Sequence, residues 1–362
     1  MAKKFNANGL KKVMADDAQL TRLFFIMLGS FILMCILVPD KFPTWNNMKS
    51  MMFQFPEIGI FALAVSLGML LGGIDLSVVS VGNISTIIAA LLMNKLVEGG
   101  MNGGLAVVIG CVVAMVIGCI CGTFNGLLIA KLGIPAMIAT LGAMEVFAGL
   151  GVGLTDGAAI FTPEAYAFIG AGYIAGIPVP LIIFLVVMVI FTIFLQKKTF
   201  GMELYLVGTN RKAARFAGIS TDMTIIRTHM AGGLLAAIGG IILSSRVTSA
   251  KASYGSSYIL QCLLVAILGG INPNGGFGKV PGIVMAILTL QFLSSGFNMM
   301  RADSYFKTFI WGFVLIAAMI INYYGDKAAE RRRELPQPPS VPPKRLPPLP
   351  KTTKKVDPQS NF

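Results

Sequence analysis

A few polar side chains stand inside long apolar runs, and they carry whatever chemistry this chain has. Asp75 and Ser77 belong to Gly72-Gly73-Ile74-Asp75-Leu76-Ser77, between "FALAVSLGMLL" and "VGNISTIIAALLM", and Glu145 belongs to "TLGAMEVFAGLGVG". A charged side chain at the centre of a bilayer costs about 3 kcal/mol even on lenient scales, so each acid needs donors or a wet cleft. Three chemistries fit: coupling to an ion gradient, hydrogen bonding to a polar solute, or capping a helix end. Asn125, Thr140, Gln261, Gln291 and Asn298 are milder members of the set, candidates for a solute pathway. For each of them a bond between neighbouring helices is an equal alternative. Catalysis finds little here. His229 has no nucleophile beside it and is read as a capping or interfacial residue at the start of an apolar run. The five cysteines lack metal-finger spacing and read as small core residues. No enzyme and no metal site is expected.

Membrane elements must hold these residues. The chain has 362 residues, is 55% hydrophobic and only 12% charged, with a mean hydropathy of +0.77. A soluble domain carries about twice that charge fraction. Apolar runs near the length that spans a bilayer recur throughout. They give an all-α membrane protein of about ten spans: 23–39, 53–71, 78–94, 104–122, 137–155, 181–196, 227–245, 258–270, 281–299 and 307–324. With both termini in the cytoplasm, 22 of the 29 Lys and Arg residues fall on inside segments. The division is then a cytoplasmic segment 1–22, a transmembrane domain 23–324 with a cytoplasmic loop 196–226, and a basic, Pro-rich tail 325–362 expected to stay unfolded. The first span reads as a retained helix, because no small-residue cleavage site follows it. The net charge of +13 is mostly this inside bias plus the tail. It suits anionic headgroups; no basic cluster interleaved with aromatics suggests nucleic acid.

The break at 72–77 lies between the second and third spans. Glycine suits the positive φ that ends a helix, and Asp75 or Ser77 is expected to cap the next one. In the loop 196–226, Ala213, Ala214, Phe216 and Ile219 are expected on the apolar side of a short helix ending at Gly218, with Arg211, Lys212 and Arg215 on its polar side. Such a helix docks on a soluble partner or lies on the inner leaflet. "GINPNGGFGK" is no phosphate loop, since Gly275 is followed by Gly276 rather than Lys. It reads as a tight turn between spans.

Four stretches together resemble the permease subunits of ATP-binding-cassette importers for monosaccharides of the ribose, xylose and galactoside type. They are "GGIDLSVVSVGN", "NGLLIAKLGIPAMIATLGAM", "TFGMELYLVGTNRKAARFAGIS" and "AILGGINPNGGFGKVPG", in the family's order over about residues 50–325. The resemblance implies a ten-helix permease in a bacterial inner membrane, paired with a second copy or a homologue. It implies cytoplasmic ATPase subunits that bind the ATP and Mg, this chain holding no cofactor, and a periplasmic or extracellular sugar-binding protein. It makes the helix at Arg211–Ile219 the coupling helix that meets the ATPase. The family's Glu-Leu-Asp-Ala-Ile-Ala-Ala is here replaced by "YILQCLLVA", and Glu145 and Ala148 stand where a small hydroxyl residue and a basic one are usual. These departures bear on the solute more than on the class.

A second class stays open on the residues alone, an ion-coupled secondary transporter with Glu145 or Asp75 as coupling carboxylate. The outside loop 156–180 offers Tyr166, Phe168 and Tyr173 either to a binding protein or to an interfacial aromatic belt.

Overall fold

The computed structural model describes residues 18–334. The first helices are α1 (Ala18–Leu37), α2 (Trp45–Leu70), α3 (Val78–Glu98), α4 (Gly103–Ala130) and α5 (Ala136–Thr155). A short irregular segment follows, with β1 (Ile160–Phe161), a 3-10 turn (Glu164–Tyr166), α6 (Ala167–Ala171), β2 (Tyr173–Ile174) and β3 (Ile177–Pro178). Then come α7 (Val179–Lys197), α8 (Thr199–Thr209), α9 (Arg211–Phe216), α10 (Thr221–Arg246), β4 (Ser249–Ala250), α11 (Tyr258–Leu268), α12 (Val280–Met299) and α13 (Ser304–Glu334). Among the described residues, eight helices are long and apolar enough to cross a membrane: α1–α5, α7, α10 and α12. Two further apolar helical stretches, Tyr258–Leu268 and Tyr305–Ile320, are shorter than that. This is a multi-pass helical membrane protein.

Each span expected from the sequence has its helix, with informative differences in length. Helix α2 starts at Trp45, eight residues before 53, because Asn46, Asn47, Lys49 and Ser50 mask its first turns in a hydropathy profile. The Thr44 hydroxyl caps it, accepting from the Asn47 amide at 3.4 Å. Helix α13 runs to Glu334, so residues 325–334 are helical rather than part of an unfolded tail. Their Ala, Glu, Lys and Arg favour helix. The expected tail beyond 334, and the N-terminal segment before Ala18, lie outside the described residues.

The chain divides into two units, Met1–Met319 and Ile320–Phe362. Among the described residues the second contains only the end of α13. In the first, α2, α3 and α10 form the interior. Helix α10 carries Gly232, Gly233, Gly239 and Gly240, and these let neighbouring backbones approach closely. A Cβ on Gly118 or Gly122 of α4 would overlap the carbonyls of Gly233 or His229. His229 is therefore a packing residue two turns into α10, and not a cap: its Nδ1 lies 3.0 Å from the Ile225 carbonyl. Outside the interior, Val108, Val112, Val116 and Ile120 make an exposed row along α4 at a spacing of four. Such a surface suits lipid or another apolar helix.

Two small sheets organise the segment after α5. Strand β1 pairs antiparallel with β4, Ile160 opposite Ala250, and β2 pairs with β3 in a hairpin. The expected loop 156–180 is therefore tied down rather than free. Tyr166 is buried, its hydroxyl 2.9 Å from Ser244 Oγ and donating to the Ile241 carbonyl at 3.2 Å. Burial pushes its ionisation up. It is not available to a partner, whereas Phe168 and Tyr173 are exposed.

Candidate functional site

The break between α2 and α3 is built from the residues that mark it in the sequence. Gly72 has φ +83°, the Gly72 amide donates to the Met69 carbonyl and the Gly73 amide to the Gly68 carbonyl. That pair of bonds closes a helix end with a glycine in the left-handed region. The acid then acts differently from the expected cap. Asp75 Oδ1 accepts from the Ser77 amide at 3.0 Å and from the Ser77 hydroxyl at 2.7 Å. Ser77 occupies the N-cap position of α3, yet its side chain caps nothing. Asp75 stands two residues upstream, too early to reach the first helical amides, so it fixes the approach to the helix instead. Ser77 Oγ in turn accepts from Asn125 Nδ2 of α4 at 2.7 Å, and Thr140 Oγ1 of α5 accepts from the Leu76 amide at 3.1 Å. Two of the expected pathway residues, Asn125 and Thr140, are thus fully buried and bonded to the break.

The remaining motifs meet at the same place. The Gly276 amide donates to the Leu70 carbonyl at 2.9 Å, at the end of α2. A Cβ on Gly208 would overlap that same carbonyl, and one on Gly275 would sit 2.6 Å from the Gly208 carbonyl. Tyr205 donates to the Gly278 carbonyl at 2.9 Å. Helix α8, the Gly-rich turn and the Gly72–Ser77 break therefore form one packed node of backbone against backbone.

Helix α9 follows directly from this node. The Asn210 side chain caps it, accepting from the Ala213 amide at 3.0 Å, and Gly218, at φ +83°, ends it. Its faces differ from expectation. Ala214 is buried among Ile129, Ala139, Val207 and Ile225, while Phe216 is 94% exposed. One turn is too short for four apolar residues to share a face, so the small one packs inward and the large one projects. Ala213 and Gly218 are exposed and Ile219 half-buried. Arg211 and Arg215 turn toward Asp222 in the first turn of α10, at 3.8 and 3.2 Å, with Lys131 at 3.8 Å on its other oxygen.

Of the other pathway candidates, Gln261 and Gln291 line one small cavity of about 10 Å³ with Ser294, Phe55, Ile58 and Trp311. Gln291 donates to Gln54 Oε1 of α2 at 3.4 Å. Asn298 is exposed and accepts from Lys307 Nζ at 2.5 Å. Glu145 is exposed on α5, and the flanking Gly142 and Gly149 have open space where a Cβ would stand. The close packing expected around Glu145 is not made within this chain.

The sequence reading missed Glu57. This residue of α2 is 1% exposed, and its Oε1 accepts from Arg246 Nη2 at 2.7 Å and from the Tyr258 hydroxyl at 2.6 Å. The signal for it is the spacing of Asn47, Ser50, Gln54 and Glu57, one polar face of a helix whose first turns are too polar to stand out in a hydropathy profile.

A family model described as branched-chain amino acid transport system / permease component matches residues 47–319. The chain belongs to that family. This permease is also similar to the ribose import permease protein RbsC of Bacillus subtilis (strain 168), 35% identical over 300 residues, which cover 82% of this chain and 91% of the relative. It is 34% identical over 299 residues to the L-arabinose transport system permease protein AraH of Escherichia coli (strain K12), covering 82% and 88% of the two chains. A probable ABC transporter permease protein of Sinorhizobium fredii matches at 27% over 301 residues. No solved structure matches the permease. The node of Gly72, Asp75, Gly208 and Gly276 thus belongs to a transport permease.

Proposed function

We propose that the chain is the membrane permease subunit of an ATP-driven importer for a simple sugar. The observation that carries this reading is α9, a short helix set on the four-motif node with Phe216 projecting from it. A bulky apolar side chain on a rigid, polar-rimmed helix suits a groove on a soluble partner. Arg211 and Arg215 clamp on Asp222 while staying exposed, so both remain on the polar rim around Phe216. Arg211, Ala213, Phe216 and Gly218 then face the ATPase, while Ala214 and Ile219 anchor the helix to the body. The relatives named for ribose and L-arabinose support a sugar over an amino acid as solute.

In this reading the ten apolar helices are ten crossings, both termini are cytoplasmic, and the protein sits in a bacterial inner membrane. ATP and Mg belong to the ATPase subunits, and a sugar-binding protein delivers the solute outside. The exposed face of α5 that carries Glu145 is where a second permease copy or homologue completes the pathway. Glu145 then accepts hydrogen bonds from solute hydroxyls when ionised.

The test is reconstitution of the permease with its ATPase and binding protein in liposomes. ATP-dependent uptake of labelled ribose or arabinose is the expected result. Uptake driven by an ion gradient without ATP would overturn the reading.

A further inference from the structure

One polar face of α2 leads inward and stops at an incomplete ion pair. Asn47, Ser50, Gln54 and Glu57 follow one another at steps of three, four and three residues, so they share a face. Beyond them, every residue from Gly59 to Leu70 is buried and all but Ser66 are apolar or glycine. Along the stripe Asn47 is buried, Ser50 exposed, Gln54 half-buried and Glu57 fully buried. Glu57 is thus the last polar group of the stripe and the only acid in it, set against the apolar interior.

The pair it makes is one bond short. A guanidinium and a carboxylate usually join through two parallel hydrogen bonds. Here Arg246 Nη2 and the Tyr258 hydroxyl both converge on Glu57 Oε1. Glu57 Oε2 and Arg246 Nε, the atoms that would close a second bond, are both buried and both without a partner. Leaving an acceptor and a donor in that state is costly, and such groups in folded proteins call for a water or a ligand. The two orphans are of opposite sense. A hydroxyl answers both at once, donating to Oε2 and accepting from the Nε proton. The Phe61 and Tyr258 rings, 6.5 Å apart, add apolar surface beside the pair. Arg246 keeps 29% of its side chain exposed, although its Nε is buried, so the pair lies just beneath the surface on the Arg246 side.

We propose that the incomplete fork between Glu57 and Arg246 is a recognition site for one hydroxyl of the transported solute, with Tyr258 as the positioning residue that holds Oε1. The proposal rests on the sugar-import reading and deepens it. It also accounts for a departure in the sequence. The segment beginning at Tyr258 lacks the two acids that the resemblance places there, and α2 brings a carboxylate to the same segment from the other side.

The test uses the reconstituted importer with a panel of labelled pentoses and hexoses and their monodeoxy analogues. In the wild type one deoxy analogue loses uptake by about tenfold or more against its parent sugar, and Glu57→Gln raises KM for the parent by a similar factor. The same analogue then loses little further in Glu57→Gln, because the partner of the missing hydroxyl is already gone. A variant that assembles normally and keeps both KM and the order of the panel would mean a structural water only, and would overturn the proposal. Should Glu57→Gln fail to assemble, Tyr258→Phe decides: it leaves the Arg246 bond to Oε1 in place while removing the second donor that holds the carboxylate, so a changed panel order supports the site and an unchanged one refutes it. A wild type that carries no sugar at all defeats the transport reading itself, an outcome separate from these.

Discussion

The Asn125 side chain of α4 donates to the Ser77 hydroxyl at 2.7 Å, and that hydroxyl donates to Asp75 at 2.7 Å. Three residues on two elements thus form one buried relay across the α2–α3 break. Replacing Asn125 by Ala removes the outer donor and leaves Ser77 with one partner fewer. A loss of about 1–3 kcal/mol in stability is expected. Thermal unfolding of the detergent-purified protein measures it, and an unchanged midpoint would remove Asn125 from the relay.

Asp75 is expected to matter as an acceptor rather than as a charge. Asp75→Asn retains an oxygen for the Ser77 amide and hydroxyl, and folding and transport should both survive. Asp75→Leu leaves those two donors buried without an acceptor, at a cost of about 1–3 kcal/mol. Normal folding with complete loss of transport in Asp75→Asn would instead assign a role to the charge and revive ion coupling.

Phe216 and Ala214 should separate docking from folding. Phe216→Asp changes an exposed side chain, so membrane insertion and thermal stability should stay as in the wild type while co-purification of the ATPase subunit is lost. Ala214→Asp places a charge among Ile129, Ala139 and Val207, and should lower the yield of folded protein. Retained co-purification in Phe216→Asp counts against α9 as the docking element.

The Gly208 contact gives the node a sharp test. Gly208→Ala forces a methyl group against the Leu70 carbonyl, and the clash is with backbone, which has little room to give. Unfolding should begin markedly lower, whereas Gly142→Ala on α5, where nothing stands within 4 Å, should leave the isolated subunit unaffected. If Gly142→Ala instead weakens the dimer seen by cross-linking, the α5 face belongs to the subunit interface.

Much of this was legible in the sequence because the relevant signals are local. Gly72 and Asp75 sit within four residues of each other between two apolar runs, and backbone geometry at a helix end constrains both. The same locality explains why each expected apolar run has a helix, eight of them long enough to cross a membrane. What failed was long-range or marginal. Glu57 and its partners are 189 and 201 residues apart, and nothing near Glu57 announces Arg246 or Tyr258. Phe216 and Ala214 were put on one face because a six-residue helix is too short for periodicity to resolve. Asp75 was read as a cap because acid before a helix usually is one, whereas its distance from α3 lets it hold only the residue that enters the helix.

Helix α10 carries Asp222 near its first residue and Arg246 at its last. At 1.5 Å per residue, the two stand about 36 Å apart on one continuous rod. The clamp that steadies α9 and the guanidinium that faces Glu57 are therefore opposite ends of a single lever. A tilt of about 5° about the middle of such a rod carries each end about 1.6 Å. That travel is half the length of a hydrogen bond, enough to open or shut a fork that is one bond short.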